Sequence, residues 1–215
     1  MQFNYAIFDM DGTLVDSMKY WDAVCGEFLR ELGVYSEEIF DILKPMTVPQ
    51  TADYLKSAFG IECDPQDMTD KMCRIMQAHY ENDVQAKPGV HAFLDAVQRK
   101  GIHMCVASST PIDLIEIFLQ RLKLRQYFDF LVSAEEVGKG KDDPGIYLET
   151  AKRLNASPQN TMVFEDAIIA GVTAKNAGFQ TAAIFDETSE AEWDSFCKEA
   201  DFSFRDWNEA LRAFA

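Results

Sequence analysis

Basic residues are scarce in this sequence. Its 215 residues include 20 lysines and arginines against 36 aspartates and glutamates, which gives a formal net charge of −16. Nucleic acids and anionic membranes are bound by clustered Lys and Arg side chains, so this balance argues against both partners. A small phosphorylated metabolite remains a compatible partner, because surface charge is screened beyond about 8 Å at physiological salt and a lysine and a metal ion can dominate inside a cleft.

Cysteines and long apolar runs are also in short supply. The five cysteines are scattered and form no C-x-x-C pair, so the sequence predicts free thiols, without a zinc site or a disulfide framework. No apolar run approaches the length of a membrane span, and the first residues lack the pattern of a secretory signal. We therefore expect a cytoplasmic protein. Its oligomeric state is left open, and a monomer is compatible with the sequence.

Short apolar runs alternate with helical patterns over most of the chain. The runs predicted to be strands are residues 5–8, 102–107, 128–132, 161–164 and 181–185. Helical patterns cover residues 90–99, 112–124, 146–154 and 167–177. This alternation predicts an α/β fold, with a doubly wound parallel sheet covered by helices on both faces. The acidic stretch 186–194 is expected to be a solvated face.

A block of different character follows the first predicted strand. It contains only helical segments, at residues 17–32, 37–43, 51–59 and 68–80, separated by prolines and a glycine. We predict an inserted all-helical cap domain of residues 17–86. The catalytic core then consists of residues 1–16 and 87–215, with hinges near 15–17 and 86–89.

Polar and charged residues follow four of the predicted strands. In open parallel sheets, ligands bind beyond the carboxyl ends of the strands, so these positions are candidate site residues. They are Asp9 and Asp11 after the first strand, Ser108, Ser109 and Thr110 after the second, Lys139 and Lys141 after the third, and Glu165 and Asp166 after the fourth. The sequence thus predicts that acids, hydroxyls and a cation meet in one cleft.

These residue types suit phosphoryl transfer. Asp9 and Asp11 are two residues apart and can face the same cleft. Together with Asp166 they form an all-oxygen cluster of the kind that Mg²⁺ prefers. A hydroxyl and a lysine complement phosphate oxygens, while one carboxylate can attack phosphorus and the other can act as general acid and base.

Three motifs resemble those of the haloacid dehalogenase-like superfamily, in particular its helical-cap branch with β-phosphoglucomutase and small-molecule phosphatases. They are FDMDGTLVDS at residues 8–17, VASS at 106–109 and VFEDAIIAGVTAKNAGF at 163–179. The resemblance implies a Rossmann-like core, Asp9 as nucleophile and Mg²⁺ ligand, and Asp11 as general acid and base that also offers its carbonyl to the metal. It further implies phosphate binding by Ser108, Ser109 and Lys141, and completion of the metal site by Asp166 with Glu165.

A fourth motif departs from the family pattern G-K-P-x-P-D-x-[FY]. The chain has GKDDPGIY at residues 140–147, where Pro144 and Tyr147 set the register and make Lys141 the matching cation. Lys139 remains a competitor, and Asp142 could pair with Lys141.

The sequence of the predicted cap says little about which substrate is bound. β-Phosphoglucomutase has a histidine where this chain has Trp21, and an arginine in a cap loop that here, at residues 44–50, offers only Lys44. Trp21 and Lys44 are candidate specificity residues, although Trp21 could equally serve packing. A mutase needs cations for a second phosphate. We therefore rank a Mg²⁺-dependent phosphatase of small phosphomonoesters first, a sugar phosphomutase second, and a non-catalytic phosphate-binding domain as a further alternative.

Overall fold

A computed structural model describes residues 1–43 and 46–215 of the chain. The strands are β1 (Tyr5–Phe8), β2 (His103–Ser108), β3 (Phe130–Ser133), β4 (Thr161–Glu165), β5 (Gln180–Ile184) and β6 (Phe202–Phe204). The helices are α1 (Met18–Glu31), α2 (Glu37–Leu43), α3 (Val48–Phe59), α4 (Pro65–Asn82), α5 (Val90–Arg99), α6 (Ile112–Arg121), α7 (Ala134–Val137), α8 (Gly145–Arg153), α9 (Ile168–Asn176), α10 (Glu190–Glu199) and α11 (Trp207–Phe214).

The strands form one parallel sheet in the order β3-β2-β1-β4-β5-β6. In the central strand β1, Ile7 lies opposite Cys105 of β2 and Val163 of β4. The strand order reverses between β1 and β4, and such a reversal opens a crevice at the carboxyl edge of the sheet. The predicted α/β fold with a parallel sheet is confirmed.

Both faces of the sheet are buried, as the continuous apolar character of the strands predicts. Successive residues of a strand point to opposite faces. Ala6 and Phe8 accordingly join one hydrophobic cluster, whereas Ile7 joins another, with Tyr147 and Ala151 of α8. The rigid layer between the two clusters sets the positions of the residues that follow each strand.

The four helices α1 to α4 lie between β1 and α5, in a segment that we call the helical insertion (residues 17–86). The Gln50 backbone amide donates to the Thr47 hydroxyl at the start of α3, which ends at Gly60 with a left-handed φ of 64°. Met76 and Tyr80 of α4 are fully buried in the cluster that also contains Phe8. The insertion and the sheet layer therefore share apolar packing.

The chain enters and leaves the helical insertion through two adjacent segments. The amide of Asp16 donates to the carbonyl of Gln85 over 3.0 Å, and the amide of Lys87 donates to the carbonyl of Leu14 over 2.9 Å. These bonds tie the two crossings together directly beside the loop after β1.

The C-terminal part of the fold differs from the sequence expectation. Residues 186–194 are not simply a solvated face, since Asp186 is 5% exposed and Trp193 is 8% exposed. Asp186 forms a 2.8 Å ion pair with Lys87, and Trp193 packs edge to face against Phe185 with ring centroids 5.3 Å apart. Strand β6 and helices α10 and α11 were also not predicted. The fully buried Trp207 of α11 reaches the site loop.

The five cysteines are free thiols, in agreement with their scattered spacing. Within residues 1–43 and 46–215, no helix combines the length and the apolar character needed to cross a membrane.

Candidate active site

Asp9 stands at the carboxyl end of β1 and is 6% exposed. Its amide donates to the carbonyl of Phe164 over 2.9 Å, which extends the β1–β4 pairing by one residue. One carboxylate oxygen, Oδ1, accepts a hydrogen bond from the ammonium group of Lys141. The other oxygen, Oδ2, is buried and has no hydrogen-bond partner. A buried carboxylate oxygen without a partner is costly, which marks this atom as a site for a ligand.

Three buried carboxylates meet beside this atom. Asp9, Glu165 and Asp166 each offer an oxygen, and these oxygens lie within 4.8 Å of one another. Burial, followed by the charges of Asp9 and Glu165, raises the pKa of Asp166 well above its usual value. An all-oxygen donor set with an unsatisfied oxygen fits a hard divalent cation such as Mg²⁺, whose charge would offset this repulsion.

Lys141 connects Asp9 with Glu165. Its ammonium group donates to Glu165 Oε1 over 2.6 Å, and the hydroxyl of Tyr147 donates to the same oxygen over 2.7 Å. Burial lowers the pKa of Lys141, but the carboxylates of Asp9 and Glu165 outweigh burial and raise it overall. The lysine is therefore a buried cation, 8% exposed and held between two carboxylates.

Asp11 is held by three hydroxyl groups. Ser17 and Tyr80 donate to its Oδ1 over 2.5 Å and 2.6 Å, and Thr110 donates to its Oδ2 over 2.7 Å. Burial of the carboxylate, and then the neighbouring charge of Asp9, raise the pKa of Asp11. A carboxylate with a raised pKa and a fixed orientation is suited to proton transfer.

The loop between the two aspartates and α1 is tight because of Gly12. This glycine has a left-handed φ of 78°, and a Cβ atom there would lie 2.6 Å from Cγ of Asp166. The next residue, Thr13, donates from its hydroxyl to Asp166 Oδ1 over 3.1 Å. The Thr13 carbonyl accepts from the indole of Trp207 over 3.0 Å. The first motif therefore also positions the acid that follows β4.

Five other residues were singled out by the sequence, and the structure describes four of them. Ser108 is buried at the end of β2, where its hydroxyl accepts from the Thr110 amide over 3.1 Å, and Ser109 beside it is half-buried. The side chain of Lys139 is 61% exposed and pairs with Asp143 over 2.7 Å. Trp21 donates to the hydroxyl of Tyr80 over 2.9 Å. Lys44 lies outside the described residues.

Asp166 lies two residues before α9 but does not cap this helix. The N-cap residue of α9 is Ala167, which makes no side-chain cap bond. Asp166 instead turns toward Thr13 and the other carboxylates.

Sequence reasoning did not identify several residues that hold the site together. These are Thr13, Ser17, Tyr80 and Tyr147. Thr13 and Ser17 lie within the first motif, so membership of the motif was an available signal. Tyr80 and Tyr147 lie on helices, where a buried tyrosine is normally read as core.

Comparison with known proteins places this geometry in a family. The sequence model of the family described as haloacid dehalogenase-like hydrolase matches residues 6–184. A phosphorylated carbohydrates phosphatase from Thermotoga maritima is 30% identical over 175 residues, which is 81% of this chain and 81% of that protein. Hexitol phosphatase B from Escherichia coli is 26% identical over 195 residues, covering 83% of this chain and 82% of that protein.

A solved structure shares the fold. β-Phosphoglucomutase from Clostridium difficile superimposes with a TM-score of 0.81, covering 99% of this chain and 97% of that chain. Sequence identity to it is 21%, so this likeness concerns the fold alone. Given the family match and the phosphatases among its relatives, the chain belongs to the haloacid dehalogenase-like hydrolases and is a phosphohydrolase.

Proposed function

We propose that the chain is a Mg²⁺-dependent phosphatase that hydrolyses a small phosphomonoester through an aspartyl-phosphate on Asp9. The observation that carries the proposal is the environment of this carboxylate. One oxygen is neutralised by Lys141, and the other is buried without a partner beside Glu165 and Asp166.

In the first step, a carboxylate oxygen of Asp9 forms a bond to phosphorus while the bond from phosphorus to the ester oxygen breaks. Asp11 gives a proton to the departing oxygen. Lys141 carries positive charge beside the nucleophile, and the hydroxyls of Ser108 and Ser109 would donate to the phosphoryl oxygens. A raised pKa favours the protonated form of Asp11 that this step requires.

In the second step, water attacks phosphorus and Asp11 takes up its proton. The bond between phosphorus and Asp9 breaks, inorganic phosphate leaves, and the carboxylate is restored. Asp9, Asp166 and Glu165, with the Asp11 carbonyl, would hold Mg²⁺. When bound, this ion supplies positive charge that lowers repulsion between the carboxylates and the incoming phosphoryl group.

Phosphorylated sugars and sugar alcohols are the first substrates to test, because relatives are named for phosphorylated carbohydrates and hexitols. Hydrolysis ranks above phosphomutation. A bisphosphate intermediate needs cations for its second phosphate, and several cations of the helical insertion serve other contacts. Lys19 pairs with Asp16, Lys71 pairs with Glu31, and Arg30 stacks on Tyr35.

We also propose that residues 17–86 form a cap domain over a core of residues 1–16 and 87–215. Residues 15–17 and 86–89 would be its hinges, and closure would exclude water from the reacting groups. Amide hydrogen exchange in the presence of Mg²⁺ and vanadate should slow in α1 and α4, whereas unchanged exchange throughout the insertion would argue against closure.

Phosphate release from a panel of sugar phosphates, sugar alcohol phosphates, nucleotides and p-nitrophenyl phosphate tests the activity. We expect release with Mg²⁺ and strong loss of release with EDTA. Acid-quenched enzyme should carry labelled phosphate that hydroxylamine removes. An isomerised sugar phosphate without released phosphate would favour the mutase, and binding without turnover would favour the non-catalytic alternative.

A further inference from the structure

The helical insertion contributes a hydroxyl group directly to Asp11. Tyr80 of α4 is fully buried, and its hydroxyl donates to Asp11 Oδ1 over 2.6 Å across 69 residues of sequence. Of the other two donors to this carboxylate, Thr110 follows β2 at the edge of the sheet, and Ser17 is the first residue of the insertion, directly before α1. Tyr80 is thus the one of the three donors that comes from a distant helix.

The direction of the hydrogen bond follows from the neighbouring indole. Trp21 can only donate, and its Nε1 lies 2.9 Å from the hydroxyl oxygen of Tyr80. That oxygen therefore accepts from Trp21, and its single proton is directed to Asp11. The chain of donors runs from Trp21 through Tyr80 to the carboxylate.

The backbone of Tyr80 is also fixed. Arg121 of α6 donates from Nε to the carbonyl of Tyr80 over 2.7 Å and from its guanidinium to the carbonyl of Val84. The ring of Tyr80 packs against Phe118, with centroids 5.2 Å apart. Both ends of the tyrosine are held, so its hydroxyl has little freedom to leave Asp11.

We propose that Tyr80 is a positioning residue that sets the orientation of Asp11 for proton transfer to the leaving group. The inference rests on the proposed function, in which Asp11 is the general acid and base. Oδ1 is held by Ser17 and Tyr80 and Oδ2 by Thr110, so the carboxylate plane is fixed from both sides. Without the phenol, Ser17 is the one donor that remains on Oδ1, so the carboxylate is held less firmly in this orientation.

Tyr80→Phe tests this proposal because it removes the hydroxyl and keeps the ring. The measurement is kcat/KM with Mg²⁺ for two esters, p-nitrophenyl phosphate and the most active alkyl phosphate of the panel, for example glucose 6-phosphate. A nitrophenolate departs readily without a proton, whereas an alkoxide needs one. We expect kcat/KM to fall about tenfold for the alkyl ester, which is the worth of about one hydrogen bond, and to change little for the aryl ester.

The quantity kcat/KM isolates the step of interest, since it covers only steps up to departure of the leaving group. Release of phosphate from Asp9 is common to both esters and does not enter it. Asp11→Asn gives the reference pattern, with a larger loss for the alkyl ester than for the aryl ester. In the Asp11→Asn background, Tyr80→Phe should change neither value, because two residues that act through one group are not additive.

Tyr127→Phe is the matched control. The Tyr127 hydroxyl donates to the carboxylate of Asp95 over 2.7 Å, a phenol-to-carboxylate bond that does not involve Asp11. We expect both esters to keep their wild-type kcat/KM in this variant. Trp21→Phe leaves the Tyr80 hydroxyl in place and should give a smaller loss with the same preference for the alkyl ester.

The outcomes separate the inference from the proposed function. If wild-type enzyme hydrolyses neither ester with Mg²⁺, the proposed function fails. If the wild type is active and Tyr80→Phe lowers kcat/KM equally for both esters, Tyr80 is structural and the inference is overturned. The same holds if Tyr80→Phe causes its full loss of kcat/KM in the Asp11→Asn background. Should Tyr80→Phe not fold, a wild-type alkyl-to-aryl ratio in Trp21→Phe overturns it.

Discussion

The ammonium group of Lys141 lies against the carboxylate of Asp9, although 132 residues separate the two in sequence. The lysine belongs to the loop before α8, and the aspartate directly follows β1. Such a pair is costly to bury unless each charge has further partners. Lys141 meets this condition through Glu165, while Asp9 leaves one oxygen unpaired.

Lys141→Ala should destabilise the metal-free protein by about 3 kcal/mol, because it leaves two buried carboxylates without their cation. Turnover should fall by several orders of magnitude. Lys139→Ala is the matched control, since its side chain is 61% exposed and its partner is Asp143. Urea unfolding measures the stability, and phosphate release measures the turnover. A larger loss of turnover in Lys139→Ala than in Lys141→Ala would show that Lys139 is the catalytic lysine of this loop.

Asp9→Asn should lower turnover by several orders of magnitude, because the amide cannot attack phosphorus as the carboxylate does. The fold should persist, since the amide can still accept a hydrogen bond from Lys141. Circular dichroism and phosphate release test this prediction. Retained phosphate release at a wild-type rate would exclude Asp9 as the nucleophile.

Gly12→Ala should weaken Mg²⁺ affinity as well as stability, because the new Cβ would displace the carboxylate of Asp166. Gly33→Ala provides the control. Its φ is 72°, close to that of Gly12, but nothing lies within 4 Å of its Cβ position. Both substitutions place a Cβ atom on a left-handed backbone, which should lower stability by about 1–2 kcal/mol in each variant. Only Gly12→Ala should also change the affinity for Mg²⁺. Equal Mg²⁺ affinities in the two variants would contradict this account.

The metal-free protein should lose thermal stability as pH rises from about 5 to about 8. Burial raises the pKa of Asp166, and it raises the pKa of Glu165 to about 7. Groups with a raised pKa in the folded state bind protons more tightly there than in the unfolded chain. The stability that they contribute is therefore complete below the unfolded pKa and is lost as pH rises through the folded pKa.

Melting temperatures in EDTA measure this dependence. Added Mg²⁺ should raise the melting temperature most at the upper end of the range, where protons no longer compete for the carboxylates. Asp166→Asn should flatten the pH profile. A melting temperature in EDTA that stays constant or rises over this range would contradict the prediction.

Local patterns were sufficient for the first five strands and for most helices, because an apolar run that is buried on both faces has a distinctive composition. β6 was missed because it has three residues at the edge of the sheet, too few for a pattern. The expectation of a solvated stretch after β5 failed at Asp186 because its charge is compensated by Lys87, a residue of the re-entry segment that local sequence does not connect with it.

The sequence by itself determined the parallel α/β layer and the presence of acids, hydroxyls and lysines after successive strands. These features depend on residues that are close together in the chain. Only the tertiary structure decided that Lys141, and not Lys139, contacts Asp9, and that Tyr80 from α4 reaches Asp11. The physical reason is that hydrogen bonds and ion pairs depend on distances of a few ångströms. Packing of the helices against the sheet sets these distances, and local spacing does not encode them.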